Sequence, residues 1–252
     1  MTKRIIPRLE IKSRKLIKGI RMEGLRVVGD PVEKIIKYYN DGADEIIYED
    51  IVASLYDRKY DIDFINELSK NIFIPFCVGG GIKNINDIHD MLDAGADKVA
   101  INTHSILNEN LIYQASRIFG SQCIVLEIQA KKLREGYWEA YTESGRERHK
   151  LDAIEWAKKA ESLGVGEILL IAIDNDGMKK GPDLELIKSI KSSVSVPLIA
   201  GGGVGDNNHI NDIFKIGNAD AVCLSNCLHF NTLKISDIKL NLKNKSENIR
   251  LN

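Results

Sequence analysis

Short apolar runs alternate with amphipathic stretches along the whole chain. Helical periodicity separates most of the runs, at residues 31–40, 85–94, 153–163 and 184–192. Strands that alternate with helices of about ten residues indicate βα units and a parallel sheet. Eight such units in 252 residues predict an α/β fold, the (βα)8 TIM barrel. The eight candidate strands read RIIPRLEI, EIIYED, IPFCVG, KVAIN, CIVLEIQ, EILLIAI, VPLIAG and DAVCLS.

The second half of the chain repeats the first at a constant offset. The glycine triplet that begins at Gly79 recurs 122 residues later at Gly201, and residues 41–51 align with 163–173 at the same offset. In each half, a strand that begins with an X-Pro pair leads into the triplet. A repeated unit of this length predicts one barrel domain over residues 1–252, made of half-barrels at about 1–120 and 121–252. Residues 133–150, after the fifth strand, contain aromatic residues between turn signals and are predicted to form a hairpin-like loop.

Composition excludes several classes of protein. The 35 Lys and Arg residues nearly balance 36 Asp and Glu, so no overall charge favours nucleic acid or a membrane as a partner. No apolar run approaches the roughly 20 residues that span a bilayer, and the N-terminus shows no signal peptide. The four cysteines (Cys77, Cys123, Cys223 and Cys227) form no CxxC pair. They are interpreted as reduced, mostly core residues of a cytoplasmic protein.

The two glycine triplets fall where barrel enzymes carry their active sites, after the third and seventh strands. Glycine lets the backbone approach a ligand, and free amides can hold phosphate. Tight turns alone would also explain the glycines. Two triplets at equivalent positions favour a ligand with a phosphate at each end. The candidate phosphate residues are Gly80, Gly81, Asn102 and Thr103 on the first side and Gly202, Gly203, Ser225 and Asn226 on the second.

Other polar residues also end strands, namely Glu10, Lys12, Asp50, Gln129, Asp174 and Asp176. The segment DNDGMKKG at 174–181 is equally compatible with an Asx-rich turn. No His, Cys or Asp cluster has the spacing of metal ligands, so we expect neither a metal nor a cofactor. The five scattered histidines are interpreted as surface or capping residues; they are His89, His104, His149, His209 and His229.

Specific segments make the chain resemble one family over nearly its whole length. They read KRII, KGI before GDPVE, EDIVAS, IPFCVGGGI, GADKVAINT, FGSQCIV, GEILL and IDNDG, together with the second glycine triplet. The family is the cyclase subunit of imidazole glycerol phosphate synthase. The resemblance implies a barrel that binds a bisphosphorylated ribonucleotide, receives ammonia from a glutaminase subunit docked at its N-terminal face, and closes an imidazole ring while releasing a carboxamide ribotide. It also implies substrate-binding roles for Lys18, Asp50, Asn102, Asp174 and Asp176.

The acid–base pair that the resemblance implies is altered at both positions. The family carries aspartates at the ends of the first and fifth strands, where this chain has Glu10 and Gln129. The extra methylene of Glu10 displaces its oxygens by about 1.5 Å, and a displacement of about 1 Å can lower a rate 10²-fold. Gln129 can neither take nor give a proton, and losing one acid–base step typically lowers a rate by about 10² to 10⁴. Further departures, at Pro7-Arg8, Ala100, Ala172, Met178, Gly201 and the loop KSRKLIKG, predict a remodelled pocket.

Four charged residues stand near strand starts, at the opposite end of the predicted barrel: Arg4, Glu45, Lys98 and Glu167. Charges at strand starts are usually just solvated. Here they match, position by position, the ring that gates ammonia entry in the family. Asp97 matches a residue at the family's glutaminase interface.

The first functional hypothesis is an ammonia-channelling barrel subunit in a heterodimer with a glutaminase. The altered pair resembles a paralogue branch that serves amidination of sugars in surface polysaccharides, where a sugar amidotransferase is a further partner. The alternative hypothesis is a working cyclase of histidine biosynthesis, in which Glu10 performs the acid–base chemistry. A third is a scaffold or phosphosugar-binding module without enzymatic activity.

Overall fold

A computed structural model describes residues 2–56 and 58–251 of the chain. The described residues form twelve strands: β1 (Arg4–Lys12), β2 (Lys15–Ile20), β3 (Glu23–Gly29), β4 (Ile46–Asp50), β5 (Phe76–Gly79), β6 (Lys98–Ile101), β7 (Ile124–Arg134), β8 (Tyr137–Thr142), β9 (Glu147–Asp152), β10 (Glu167–Ala172), β11 (Leu198–Gly201) and β12 (Ala221–Leu224). They also form α1 (Pro31–Asn40), α2 (Ile62–Ser69), α3 (Ile85–Asp93), α4 (Thr103–Leu107), α5 (Asn110–Phe119), α6 (Ala153–Leu163), α7 (Leu184–Ser193), α8 (Asn207–Lys215), α9 (Asn226–His229) and α10 (Ile235–Asn244), with a 3₁₀ turn at Ser121–Cys123.

Eight of the strands close a parallel barrel. Their order around the barrel is β1, β4, β5, β6, β7, β10, β11 and β12, and β12 pairs with β1 to close it. These are the eight strands expected from the sequence, so the predicted (βα)8 TIM barrel is confirmed. The C-terminal ends of all eight strands therefore open on one face, where the candidate site residues are expected.

Side chains on the barrel strands alternate between two cores. On β7, Leu126 and Ile128 pack outward against the helices, whereas Val125 points into the barrel. The inward residues Ile6, Ile47, Val125 and Leu169 form an apolar layer across the lumen with no exposed surface. Burial of each such side chain stabilises the fold by roughly 1.5–3 kcal/mol. Because both faces of a parallel strand are buried, its sequence is a nearly continuous apolar run.

The helices begin where their sequences carry capping residues. At α1, the Asp30 side chain accepts hydrogen bonds from the backbone amides of Val32 and Glu33, and Pro31 occupies the first turn. The caps of α3 and α8 are Asn84 and Asp206, which lie 122 residues apart. Both have extended backbones, with φ of -153° and -148°. The predicted repeat is thus accompanied by matched local geometry.

Two hairpins rise from the C-terminal face of the barrel. The hairpin-like loop predicted at 133–150 is confirmed, because β7 continues beyond the barrel to pair antiparallel with β8, which pairs with β9. The hairpin of β2 and β3 was not predicted. The segment KSRKLIKG turns at Ser13 and Arg14, whose φ values are 49° and 57°, and continues as β2. This second hairpin carries Lys18 over the barrel mouth.

One of the five histidines is buried, although all five were expected at the surface or at helix caps. His229 is buried, and its Nδ1 lies 2.8 Å from the hydroxyl of Tyr38. Burial, reinforced by Lys18, lowers the pKa of His229 to about 3. Its interpretation as a surface or capping residue was therefore wrong. The four cysteines are unbonded, and all but the partly buried Cys123 are buried. No helix in the described part of the chain is long and apolar enough to cross a membrane.

Candidate active site

The glycine loops that follow β5 and β11 have conformations that only glycine adopts easily. Gly80 and Gly202 have φ values of 98° and 96°. A Cβ atom at Gly80 would lie 2.2 Å from the carbonyl oxygen of Asp50, and one at Gly202 would lie 2.7 Å from that of Ala172. The sequence therefore has glycine here because a neighbouring strand end passes against each loop.

The first candidate phosphate site is a pocket of about 390 Å³ at the ends of β4 to β7. All four residues predicted for this side line it: Gly80, Gly81, Asn102 and Thr103. Asp50 also lines the pocket, and its carboxylate accepts hydrogen bonds from the amide of Val52 and the guanidinium of Arg58. Burial raises the pKa of Asp50. The inner wall of this pocket carries Glu49, Glu127 and Gln129.

The second candidate phosphate site is a pocket of about 330 Å³ on the opposite side of the barrel mouth. The structure brings together all the residues predicted for it, which are Gly202, Gly203, Ser225 and Asn226, with Asp176 beside them. Asp174 behaves differently, because it lines neither pocket and its carboxylate accepts a hydrogen bond of 2.9 Å from the amide of Lys132. It thus binds the extension of β7.

A buried cluster of charges lies between the two pockets. Arg8 has 2% exposure and points into the barrel, where its guanidinium lies 2.7 Å from Glu10, 2.7 Å from Glu49 and 3.4 Å from Glu127. The carboxylates come from three different strands, β1, β4 and β7. Each of them is as fully buried as Arg8, so solvent screens these ion pairs little.

Glu10, the first member of the altered acid–base pair, is held by two cations. Lys18 reaches from the β2 hairpin and places its Nζ 2.7 Å and 2.8 Å from the two oxygens of Glu10. The same ammonium lies 2.8 Å from Asp176, so it links the first strand to the loop after β10. Burial raises the pKa of Glu10, and this effect is opposed by Lys18 and Arg8. The Glu10 carboxylate is therefore engaged on both oxygens.

Gln129, the second member of the pair, contacts another carboxylate instead of Glu10. Its Nε2 donates a hydrogen bond of 3.0 Å to Glu127. Its Oε1 is buried and has no hydrogen-bond partner within the described residues. Burial, with the nearby Glu49, raises the pKa of Glu127 to about 8. Neither glutamate was recognised from the sequence, although both are inward positions of their strands and Glu127 lies two residues before Gln129.

The four charged residues at the N-terminal end of the barrel form a closed ring of ion pairs. Glu45 lies 2.8 Å from Arg4 and 2.9 Å from Lys98, and Glu167 contacts Arg4 and lies 2.7 Å from Lys98. Burial and the neighbouring Glu167 raise the pKa of Glu45. The two cations are about one-fifth exposed, whereas Glu45 has 1% exposure. The alternative of four separately solvated strand starts does not describe this arrangement.

Comparisons with known proteins agree with this architecture. The profile of the histidine biosynthesis protein family matches residues 4–234. The chain is 45% identical over 251 residues to imidazole glycerol phosphate synthase subunit HisF of Hydrogenobaculum sp. (strain Y04AAS1), and the similarity covers 100% of both chains.

Proposed function

The chain belongs to the histidine biosynthesis protein family, together with HisF subunits of imidazole glycerol phosphate synthase, and we propose that it is a barrel subunit that accepts ammonia from a glutaminase partner. The observation that carries this proposal is the closed ring of Arg4, Glu45, Lys98 and Glu167 at the N-terminal mouth. Exposed charges would be enough to keep a protein soluble. Solubility therefore does not explain four buried or half-buried ion pairs around a barrel axis.

The surface around this mouth supports docking of a partner protein. Three large apolar side chains lie exposed where helices lead back to strand starts: Phe73 at 84%, Ile118 at 60% and Ile216 at 52%. Asp97 is also exposed at this face, and its carboxylate accepts a hydrogen bond of 2.9 Å from the amide of Phe76. Exposed apolar groups rimmed by charge are typical of protein interfaces. The glutaminase is proposed to bind here as a heterodimer.

Ammonia entering through the ring meets a packed lumen. The apolar layer of Ile6, Ile47, Val125 and Leu169 has no exposed surface, and Arg8 with its carboxylates lies above it. Transit therefore requires these side chains to change rotamer. A neutral, small molecule crosses an apolar layer more readily than an ion does, because an ion would lose its hydration there.

The proposed acceptor of the nitrogen is a sugar whose amidination serves surface polysaccharide synthesis, with a sugar amidotransferase as a further partner. The support is the altered acid–base pair, since Glu10 is tied to two cations and Gln129 cannot transfer a proton. A barrel with this pair is poorly equipped for ring closure by its relatives' chemistry.

A second candidate is a working cyclase of histidine biosynthesis. It is favoured by the full-length similarity to a protein named as imidazole glycerol phosphate synthase subunit HisF. The two glycine-lined pockets, which suit the two phosphates of a bisphosphorylated ribonucleotide, also favour it. Both candidates require the same glutaminase partner and differ in the acceptor of the nitrogen.

Co-purification with a glutaminase encoded in the same genome tests the shared part of the proposal. We expect a heterodimer in which glutamine hydrolysis rises on complex formation. The variant Lys98→Met should weaken that stimulation, whereas Lys159→Met, at an exposed ion pair on a helix, should not. Absence of any complex would refute the docking proposal.

Complementation of a histidine auxotroph that lacks the cyclase distinguishes the two acceptors. Robust growth would establish the cyclase and refute the sugar assignment. No growth from a soluble, glutaminase-binding protein would favour the sugar. The matched control is the same strain carrying a cyclase with both aspartates intact.

A further inference from the structure

The inner wall of the first pocket is lined with hydrogen-bond acceptors. Two carboxylates, from Glu49 and Glu127, and two side-chain amides, from Gln129 and Asn102, face it. The amide nitrogens are already used, because Gln129 donates to Glu127 at 3.0 Å and Asn102 donates to the carbonyl of Tyr141 at 3.2 Å. The two amide oxygens are buried and have no partner among the described residues. The wall therefore carries two unpaired amide oxygens beside two carboxylates.

These orphan oxygens indicate a missing donor. A buried acceptor without a hydrogen bond destabilises a protein by about 1–3 kcal/mol, so two at one wall call for a ligand or water. Gln129 is only 3% exposed, and its oxygen is left without a partner because its nitrogen donates to Glu127. An anion does not suit this wall. Phosphate is better accommodated at the outer rim, by the backbone of Gly80 and Gly81.

We infer that the inner wall binds a protonated nitrogen, and that Glu127 is a catalytic residue that takes a proton from it. The inference deepens the proposed function, on which it rests for the identity of the nitrogen as the nucleophile. In the step, one N–H bond breaks, its electron pair stays on nitrogen, and the proton forms an O–H bond with the Glu127 carboxylate. Ammonium thereby becomes ammonia, and no oxidant, reductant or other reactant is needed.

The pleat of β7 explains how Glu127 can serve in place of position 129. Residues 127 and 129 point to the same side of the strand, so both side chains enter the lumen, and their Cα atoms are separated by roughly 6.6 Å along the strand. The acid–base group thus lies two residues earlier on β7, nearer the barrel centre. There it lies between the apolar layer and the first pocket, where it can meet an ammonium ion bound at the inner wall.

The surroundings of Glu127 suit proton transfer near neutral pH. The charged groups that face it are Arg8 from β1 and Glu49 from β4, with Cys77 from β5 farther away. Burial and Glu49 favour its protonated form, whereas Arg8 and the hydrogen bond from Gln129 favour the carboxylate. A general base is most effective when its pKa lies near the working pH, which holds for a value of about 8.

Proton release on ammonium binding tests the inference directly. The intact chain is titrated at pH 7 in weak buffer with ammonium chloride, and the released protons are followed with an indicator dye. Because Glu127 is mostly protonated at pH 7, the site holds one proton fewer once ammonium is bound, whether the remaining proton stays on nitrogen or passes to Glu127. About 0.9 proton per site should therefore be released. Methylammonium chloride tests whether the wall admits an amine, and potassium chloride tests the need for an N–H donor.

Glu127→Gln should abolish the release, whereas Glu139→Gln should behave like the wild type. Glu139 is the matched control, since it is equally buried but lies on β8 and pairs with Arg148 away from the pocket. Glu127→Asp, which keeps a carboxylate, should retain release with a shifted midpoint and replaces Glu127→Gln if that variant does not fold. Equal release by Glu127→Gln, equal release with potassium, or no ammonium-specific release in the wild type would each overturn the inference. The titration needs neither glutaminase nor acceptor, so its result is separate from failure of the proposed function.

Discussion

Replacing Arg8 by methionine should turn the centre of the barrel into a pH-dependent weak point. Arg8 is the shared counter-ion of Glu10, Glu49 and Glu127, all within 3.4 Å of it and all buried. Methionine has a similar length and no charge, so it fills the space without compensating the carboxylates. Glu10 retains Lys18 as a partner, but Glu49 and Glu127 lose their nearest cation.

The magnitude follows from the burial of the charges. Removing one partner of a buried ion pair typically destabilises a protein by about 3–5 kcal/mol, because the remaining charge stays desolvated. In the variant, the folded-state pKa of Glu127, already raised to about 8 in the wild type, should rise further above the unfolded value of about 4.3. A raised folded-state pKa means that stability is retained below about pH 4.3 and is lost as the pH rises through the folded-state value. The loss should therefore be about 3–5 kcal/mol at pH 8 and shrink to about 1–2 kcal/mol at pH 5, where only hydrogen bonds are missing.

Urea denaturation at pH 5, 6.5 and 8 measures this free energy of unfolding for the wild type and the variant. Arg14→Met is the control, since Arg14 and Asp61 form an exposed pair that solvent screens, so its loss should change stability little at any of these pH values. Combining Arg8→Met with Glu49→Leu and Glu127→Ala should restore most of the stability, because no uncompensated charge remains. An equal loss in the two arginine variants, or a loss that does not change with pH, would refute the reasoning.

Three further predictions test the pockets and the helices. Gly80→Ala should abolish binding of inorganic phosphate at the first pocket and lower stability by several kcal/mol, because its Cβ would meet a backbone oxygen at 2.2 Å. The control Gly24→Ala has nothing within 4 Å and should bear only the smaller strain of a positive φ, and calorimetric titration with phosphate and thermal unfolding compare the two variants. Gln129→Asp combined with Glu10→Asp should raise turnover of a bisphosphorylated ribonucleotide with ammonium if the altered pair limits ring closure, and unchanged turnover would place the limit in the remodelled pocket. His229→Gln should make unfolding less sensitive to acid, because the folded-state pKa of about 3 for His229 means that the wild type loses stability as the pH falls from about 6.5 toward 3. Denaturation midpoints are measured at pH 4 and pH 7, and an equal drop in midpoint for the wild type and the variant would contradict this prediction.

The barrel itself could be predicted because its signals are local and repeated. Each strand is a short apolar run that both faces require, and each helix begins at a capping residue such as Asp30. The hairpin of β2 and β3 escaped prediction for a physical reason. Its turns place Ser13, Arg14, Arg21 and Met22 at positive φ, and none of these residues signals a tight turn, because non-glycine residues adopt that conformation only when the surrounding structure holds it.

In the candidate site, too, the residues with a local signal could be predicted and the others could not. The glycines at Gly80 and Gly202 were recognisable because a positive φ and a close backbone leave no other choice of residue. Glu127 was not recognised, since a glutamate in an apolar run carries no mark of what it meets across the lumen. Its period-two relation to Gln129 was available in the sequence, but the partners on β1 and β4 were not.

By itself, the sequence determined the eight-stranded barrel, the two glycine loops and the chemical limits of Gln129, because periodicity, backbone sterics and the absence of a titratable proton are properties of single segments. Only the tertiary structure decided that Glu10 is bound by two cations, that the four strand-start charges close into a ring, and that Glu127 faces the first pocket. Those outcomes depend on which strands become neighbours around the lumen. The ionisation of each buried group is set by burial and by charges that come from distant parts of the chain.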